Sequence, residues 1–240
     1  MDPRFRVEVI SQTRNPQRVT YGAMHQDYAE SFVWDGIDRW PDESKAGEVI
    51  VRNLLQGGRG HYGCLEHPQI VLNCGWFPHS TMQQIRTHRL LSFDVQSFRY
   101  TGQKILDVFE GKRNVEDVYY LRPVGTYSDR QGKKYEYTEA LRQEDLERCL
   151  DASRHYKKRI DQGFAEEHAR GLIPFDIRQH WVMSANARSL MHLLQIRGKA
   201  DAQLEAQQLC ELILPHFQTW MPAVANWFVA NLWRKGRLAP

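Results

Sequence analysis

The segment 84–100, QIRTHRLLSFDVQSFRY, is dense in side chains that donate hydrogen bonds. It contains three arginines and a histidine, whereas Asp94 is its single acid. On a helix, Arg86 and Arg89 would share a face because they are three residues apart, and Ser97 follows soon after. Guanidinium groups offer a planar fork of donors that matches phosphate or diphosphate oxygens. The segment therefore predicts an anion-binding site, and a solvated basic face is the alternative.

The segment 184–197, SANARSLMHLLQIR, is a second candidate for chemistry. At helical spacing, Leu190 and Leu193 form an apolar stripe. Asn186 precedes this stripe and Arg197 ends it. An arginine on a core-facing stripe needs an anion or a good acceptor, because an unpaired buried charge is very costly. A ligand-facing cluster is one interpretation, and a structural ion pair is the other.

The segment 61–67, HYGCLEH, contains possible metal ligands. Their spacing matches neither HExxH nor a CxxC-based zinc site, so we predict no metal. The glycine-rich stretch 57–63, GGRGHYG, lacks the GK[ST] of a phosphate loop, and no GxGxxG follows a strand. There is also no GxSxG motif for a nucleophilic serine. These patterns give no support to Rossmann, P-loop or serine-hydrolase chemistry.

Local patterns predict the elements that must position these side chains. The run 81–91 lacks Gly and Pro and predicts a helix, and the alternation in 92–100 predicts an extended segment. No repeat, linker or composition shift divides the chain. We therefore predict one α+β domain over 1–240, with a mixed sheet, flanking helices and a helical C-terminal half. Further predicted strands are 6–10, 69–77 and 117–124, and further predicted helices are 43–55, 144–162 and nearly all of the chain after Pro174.

Composition limits the class of protein and its partners. Of the 240 residues, 42% are hydrophobic, which is enough for a core and argues against disorder. The net charge of +3 gives no broad basic field, so we predict no nucleic-acid partner. No apolar run reaches the roughly 18 residues of a membrane span, and we expect no signal peptide and no membrane partner. The four cysteines are scattered, which favours a reduced, cytoplasmic protein.

Three segments follow one another in a specific order. In THRLLSFDVQSFRY (87–100), the pair His88-Arg89 is followed by seven residues, then Ser97 and an Arg-Tyr pair. HYGCLEH lies before it, and ARGLIP (169–174) and NARSLMHLLQIRGKADAQLE (186–205) lie after it. Together they resemble the flavin-dependent thymidylate synthases, whose signature is an Arg-His-Arg element, seven residues and a serine. The resemblance spans about residues 61–210, which is more than one short motif would cover.

The resemblance implies an enzyme that converts dUMP to dTMP without a covalent enzyme nucleophile. It implies FAD as the cofactor, methylenetetrahydrofolate as the carbon donor and NADPH as the reductant. It also implies a homotetramer that binds FAD at subunit junctions.

The resemblance further implies roles for individual residues. Arg197 is expected to be catalytic, because a guanidinium beside the uracil O2/N3 edge would stabilise negative charge that develops on the ring. Thr87 stands where the family's first arginine is usual, and Arg86 immediately precedes it. His61 is expected near the flavin, where the folate stacks. The residues expected to bind FAD are Thr87, His88, Arg89, Asn186, Arg188 and His192, and those expected to bind dUMP are Gln84, Arg86, Gln96, Ser97, Phe98, Arg99, Arg170 and Arg197.

Two other classes of protein stay open. A single-strand-binding module would use Phe98, Arg99 and Tyr100 as stacking and cationic groups. A net charge of +3 over 240 residues offers little of the basic stripe that such a module needs. A metal-dependent phosphohydrolase would depend on HYGCLEH alone. Flavin absorbance in the purified protein would separate the synthase from both.

Overall fold

Two β-sheets and a series of helices make up the chain. A computed structural model describes residues 1–58, 61–129 and 131–235. The strands are β1 (Arg6–Gln12), β2 (Gln69–Pro78), β3 (Ser92–Val95), β4 (Gly125–Ser128), β5 (Lys134–Tyr137) and β6 (Arg178–Asn186). The larger sheet has the order β1-β2-β6-β3. In the smaller sheet, β4 pairs with β5 antiparallel, so that Gly125 lies opposite Tyr137.

Helices outweigh strands, and they fill most of the C-terminal part of the chain. The α-helices are α1 (Pro16–Gln26), α2 (Glu43–Ile50), α3 (His79–Ile85), α4 (Gln103–Phe109), α5 (Glu139–Asp161), α6 (Glu166–Ala169), α7 (Ala187–Arg197), α8 (Leu204–Trp220) and α9 (Pro222–Asn231). The predicted α+β class is confirmed. Within the described residues, no helix combines the length and the apolar character that crossing a bilayer would require.

Contacts divide the chain into two compact units, each with its own core. The first unit comprises Met1–Arg6, Cys74–Gln84 and Asp94–Trp181. The second unit comprises Val7–Asn73, Ile85–Phe93 and Val182–Pro240. The expectation of one domain over 1–240 stays a prediction.

A buried arginine organises the first unit. Arg178 is only 1% exposed, and its guanidinium donates to three acceptors. Nε donates to the carbonyl of Glu116 at 2.6 Å, and Nη1 donates to the carbonyl of Trp76 at 2.7 Å. Nη2 donates to Oδ2 of Asp2 at 2.5 Å, and Asp2 is itself 7% exposed. Because a buried charge is tolerated only when it is paired and hydrogen-bonded, these acceptors together permit the burial of Arg178.

Helix α5 supplies one wall of the first unit's core. The Thr138 side chain caps its N-terminus by accepting from the backbone N–H of Leu141. Gly163, at φ 82°, adopts the left-handed conformation that commonly follows a helix end. On the buried side of the helix, the hydroxyls of Ser153 and Tyr119 lie 2.8 Å apart and satisfy each other. The helix predicted over 144–162 is confirmed and begins five residues earlier.

The second unit is built around α7 and α8. Asn186 caps α7, because its side chain accepts from the backbone N–H of Ser189. Leu190 and Leu193 are fully buried, as the predicted apolar stripe requires. Helix α8 contributes Ile213 and other apolar residues to the same core and continues through Pro215.

None of the four cysteines, all of which lie in described parts of the chain, forms a disulfide. Cys74 and Cys149 belong to the first unit, whereas Cys64 and Cys210 belong to the second. All four are buried. Burial raises the pKa of the Cys149 thiol to about 12, and the pKa values of Cys64 and Cys210 are also raised chiefly by burial. Thiolates of Cys64, Cys149 and Cys210 are therefore scarce at neutral pH.

Three local predictions are wrong, each because tertiary contacts override local preference. The helix predicted over 81–91 ends at Ile85 and gives way to turns. The segment 117–124 is not a strand, although Tyr119 forms an isolated antiparallel bridge with Ile177. The chain after Pro174 is not helical at first, because β6 precedes α7. Its buried residues alternate along the strand, and this period of two is a signal that the sequence contains.

Replacing Arg178 with Met should strongly destabilise the protein, because Asp2 would stay buried without its main cationic partner. We expect a loss of roughly 3–5 kcal/mol in the free energy of unfolding. A matched control is Arg154→Met on α5, where Arg154 and Asp151 form an exposed ion pair. That change should cost less than about 1 kcal/mol. Urea unfolding of both variants checks this, and equal small losses would contradict the role given to Arg178.

Candidate active site

Arg197, the last residue of α7, has its guanidinium held by two side chains of the turn that follows α3. Nε donates to Nε2 of His88 at 3.1 Å, and Nη2 donates to Oγ1 of Thr87 at 3.1 Å. Both acceptors are uncharged, so they orient the guanidinium without neutralising it. Arg197 is half-buried, so its charge is partly removed from water, and this burial lowers its pKa. An oriented, partly desolvated cation is well suited to meet an anionic ligand.

His88 must be neutral for this arrangement to hold. Because Nε2 accepts from Arg197, the imidazole proton lies on Nδ1. Burial, followed by the charges of Arg197 and His192, lowers the pKa of His88 to about 4. The rings of His88 and His192 meet edge to face, with centroids 5.6 Å apart.

A cavity of about 250 Å³ opens beside this cluster in the second unit. Cationic and hydroxyl donors line one part of it, and Leu90, Leu91 and Ile196 line the rest. Phosphate oxygens and planar polar rings are the ligands that such a lining suits. The polar lining residues are Thr87, His88, Arg89, Ser189, His192 and Arg197.

A second cavity, of about 310 Å³, shares His192 with the first. Arg188 lines it together with Tyr62, which immediately follows the exposed residue His61. Arg188 donates to Glu66 at 2.6 Å, in a pair that is about half exposed. All of the predicted flavin-binding residues except Asn186 line one or both of these cavities. The side-chain oxygen of Asn186 caps α7 instead.

The predicted nucleotide-binding residues lie mainly in the first unit. A cavity of about 360 Å³ there is lined by Phe98, Arg170 and several apolar side chains. Arg99 lies 3.7 Å from Glu167, which also lines this cavity. Gln84, Gln96 and Ser97 belong to the same unit, whereas Arg86 and Arg197 belong to the second. The structure therefore groups the flavin residues within one unit and most nucleotide residues within the other.

Lys104 of α4 is a residue that the sequence analysis missed. Its ammonium donates to Oε1 of Gln96 at 2.9 Å and to the carbonyl of Arg178 at 3.0 Å. It also lies 4.9 Å from the ring centroid of Phe98. Burial, followed by the charge of Arg113, lowers the pKa of Lys104 to about 8. No motif marks this lysine, because its partners come together only in the folded chain.

Two of the possible metal ligands in the segment 61–67 make other contacts. Glu66 accepts from Arg188, and the thiol of Cys64 lies 3.6 Å from a carboxylate oxygen of Asp27. Among residues 1–58, 61–129 and 131–235, no group of three or more His, Cys, Asp or Glu side chains could hold a metal ion.

The cationic and hydroxyl donors that line these cavities suit phosphorylated ligands. A family model described as "Thymidylate synthase complementing protein" matches residues 8–223. The flavin-dependent thymidylate synthase of Halobacterium salinarum is 32% identical over 98% of this chain and 100% of its own length. The flavin-dependent thymidylate synthase of Haloarcula marismortui is 31% identical over 98% of this chain and 99% of its own length. This chain belongs to the flavin-dependent thymidylate synthase family, as its sequence motifs predicted.

Solved structures show the same fold at low identity. ThyX from Helicobacter pylori, solved with FAD and dUMP, has a TM-score of 0.68 at 18% identity, covering 90% of this chain and 96% of its own. The UMP/dUMP methylase PolB from Streptomyces cacaoi, bound with 5-Br dUMP, has a TM-score of 0.72 at 23% identity, covering 94% and 95%.

The imidazole of His88 should stay neutral down to a pH of about 4. The unfolded chain binds this proton near pH 6.5, so the free energy of unfolding should fall as the pH drops from about 6.5 to about 4. NMR titration of labelled histidines measures the pKa directly. Arg197→Met should raise it, because one of the charges that lowers it is gone. A His88 resonance that titrates near 6.5 in the folded protein would show that the hydrogen-bonding scheme is wrong.

Proposed function

We propose that this chain is a flavin-dependent thymidylate synthase that converts dUMP to dTMP. In this proposal FAD is the cofactor, methylenetetrahydrofolate donates the carbon and NADPH supplies the electrons. Support comes from the names of relatives that match along their whole length, and from the FAD and dUMP present in the related Helicobacter pylori structure.

The orientation of Arg197 is the observation that favours this activity most. The imidazole and the hydroxyl that accept from this guanidinium orient it and add no negative charge of their own. Beside the O2/N3 edge of a uracil, it would stabilise the negative charge that develops when the ring is activated. It would do so without changing its own protonation state.

The donors of the second unit fit a flavin dinucleotide. Arg89, exposed at the mouth of the first cavity, and Arg188 in the second can each reach a diphosphate or a ring carbonyl. His88 and His192 also line these cavities and offer polar ring nitrogens. When bound, FAD would supply the electron transfer that this chain's side chains cannot perform. We place His61 at the side where the folate approaches.

The residues of the first unit suit dUMP. Arg170 and Arg99 offer guanidinium donors for its phosphate, and Phe98 offers an apolar face for its sugar or base. Ser97 serves as a phosphate ligand rather than a nucleophile. All four cysteines are buried, and burial raises the pKa of the Cys149 thiol to about 12. Burial and a raised pKa disfavour attack of a thiolate on the uracil.

We further propose that the chain works as a cytoplasmic homotetramer. Large apolar side chains are exposed in the second unit: Tyr28, Phe32 and Trp34 are 72%, 68% and 62% exposed. A surface patch formed by such side chains would be typical of a contact surface. Assembly would remove them from water.

The direct experiment is to purify the protein, record its absorbance and assay dTMP formation from dUMP, methylenetetrahydrofolate and NADPH. Flavin absorbance together with dTMP is the expected outcome. A colourless protein that binds RNA or zinc would instead favour one of the two other classes considered from the sequence.

Arg89→Ala should lower flavin occupancy, because it removes a charge-assisted contact worth roughly 1.5–3 kcal/mol. Occupancy is read from the ratio of flavin to protein absorbance at low micromolar concentration. Arg154→Ala, an exposed arginine of α5 in the first unit, is the matched control and should retain full occupancy. Full occupancy in Arg89→Ala as well would contradict the flavin assignment.

Arg197→Ala should lower kcat for dTMP formation on the order of 10²–10³-fold, because it removes a donor that acts on developing charge. Arg197→Lys should restore little, because a point charge lacks the planar fork. Flavin reduction by NADPH, measured separately, should be nearly unchanged in both variants. If both made dTMP at near wild-type kcat with only a raised KM for dUMP, Arg197 would be a binding residue and the catalytic role wrong.

A further inference from the structure

The turn that follows α9 packs against the end of α7, where Arg197 lies. Gly198, the residue after Arg197, is buried and lies against the indole ring of Trp233. A methyl group added at Gly198 would lie 2.6 Å from Cη2 of Trp233 and closer still to Cζ3, far inside ordinary van der Waals contact. The six-membered ring of the indole therefore rests directly on the backbone of residue 198.

Trp233 is itself anchored in the core of the second unit. Its ring meets that of Phe228, with centroids 6.3 Å apart, and its backbone N–H donates to the carbonyl of Phe228 at 3.0 Å. Phe228 is fully buried and meets Phe217 of α8 edge to face, with centroids 6.1 Å apart. The next residue, Arg234, pairs with Glu211 of the same helix. A packed series of aromatic rings thus connects α8 to the end of α7.

The same turn borders the candidate flavin site. Leu232 lines the cavity of about 310 Å³ that Arg188 also lines. The turn lies beyond residues 8–223, which the family model matches, so the match does not extend to it. Helix α7 and this turn belong to the same unit of the chain. The turn is therefore placed to act on the candidate site from the core side of α7.

We propose that Trp233 is a positioning residue: packed on Gly198, it fixes the end of α7 and with it the guanidinium of Arg197. This inference rests on the proposed function, in which Arg197 acts on the uracil. The last residue of a helix frays unless packing or capping holds it. The hydrogen bonds from Arg197 to His88 and Thr87 are both 3.1 Å long, and a contact of about 3.6 Å is no longer a hydrogen bond. A loosened helix end would therefore lose them.

The first measurement takes His88 as the reporter and needs no substrate. By NMR titration of labelled histidines, Trp233→Leu should raise the pKa of His88 above its value of about 4, because the charge of Arg197 moves away. In an Arg197→Met background that charge is already absent, so adding Trp233→Leu should raise the pKa no further. The matched control is Trp227→Leu. It removes another half-buried tryptophan of α9, one that lines neither cavity of the candidate site, and should leave the pKa of His88 unchanged.

The second measurement uses turnover to separate positioning from stability. Trp233→Leu should lower kcat for dTMP formation by about tenfold to 10²-fold, because a small misplacement of a catalytic group is costly. Flavin occupancy and flavin reduction by NADPH should be nearly unchanged. The double variant Arg197→Ala with Trp233→Leu should be no slower than Arg197→Ala alone, because the ring acts only through that arginine. Trp227→Leu should keep nearly the wild-type kcat.

A milder variant covers the case in which Trp233→Leu does not fold. Trp233→Phe keeps a ring against Phe228 and shortens the part that faces Gly198. Its effects on the pKa of His88 and on kcat should have the same direction and a smaller size.

Three results would overturn the inference. One is a pKa of His88 and a kcat that stay at wild-type values in both Trp233 variants. Another is a rise in that pKa as large in the Arg197→Met background as in the wild type, because the ring would then act by opening the site in general. The third is an equal loss of kcat in Trp227→Leu. Wild-type protein that forms no dTMP would contradict the proposed function alone, since the measurement on His88 still decides the role of Trp233.

Discussion

The burial of one arginine is the constraint on which the first unit depends. Arg178 stands at the start of β6, and its guanidinium reaches Asp2, the carbonyl of Trp76 in β2 and the carbonyl of Glu116. Three segments distant in sequence are thus held by one side chain whose charge could not otherwise leave water. The carbonyl of the same residue accepts from Lys104. The scaffold of this unit and the polar groups proposed to meet the nucleotide therefore share one hydrogen-bonded network.

The overall class was accessible from the sequence, whereas the local conformations around the candidate site residues were not. Arginine side chains such as those of Arg89 and Arg197 can bind anions, and Arg89 also belongs to a signature of fixed spacing. Helix propensity, in contrast, wrongly extended α3 through the segment 86–91, because the side chain of Thr87 makes a distant contact that no local rule contains. Lys104 left no trace in the sequence for the same reason: its role comes from partners that only folding brings together.

Neutral acceptors are a shared feature of the two candidate regions. Arg197 is held by an imidazole and a hydroxyl, and Lys104 by an amide oxygen and a backbone carbonyl. A carboxylate in either place would bind the cation more tightly, but it would also cancel the charge that an anionic ligand needs. The low pKa of His88 belongs to the same design, since a protonated imidazole could no longer accept from Arg197. Neutral acceptors thus orient the side chains of Arg197 and Lys104 without adding a negative charge beside them.

The four buried thiols can report where the native structure opens. Two cysteines, Cys74 and Cys149, lie in the first unit, and two, Cys64 and Cys210, lie in the second. All are covered in the native state, so an alkylating reagent can reach a sulfur only when the surrounding structure gives way. The order in which peptides bearing these four residues gain label over time is therefore a record of which unit loosens first. Such a record needs no engineered probe.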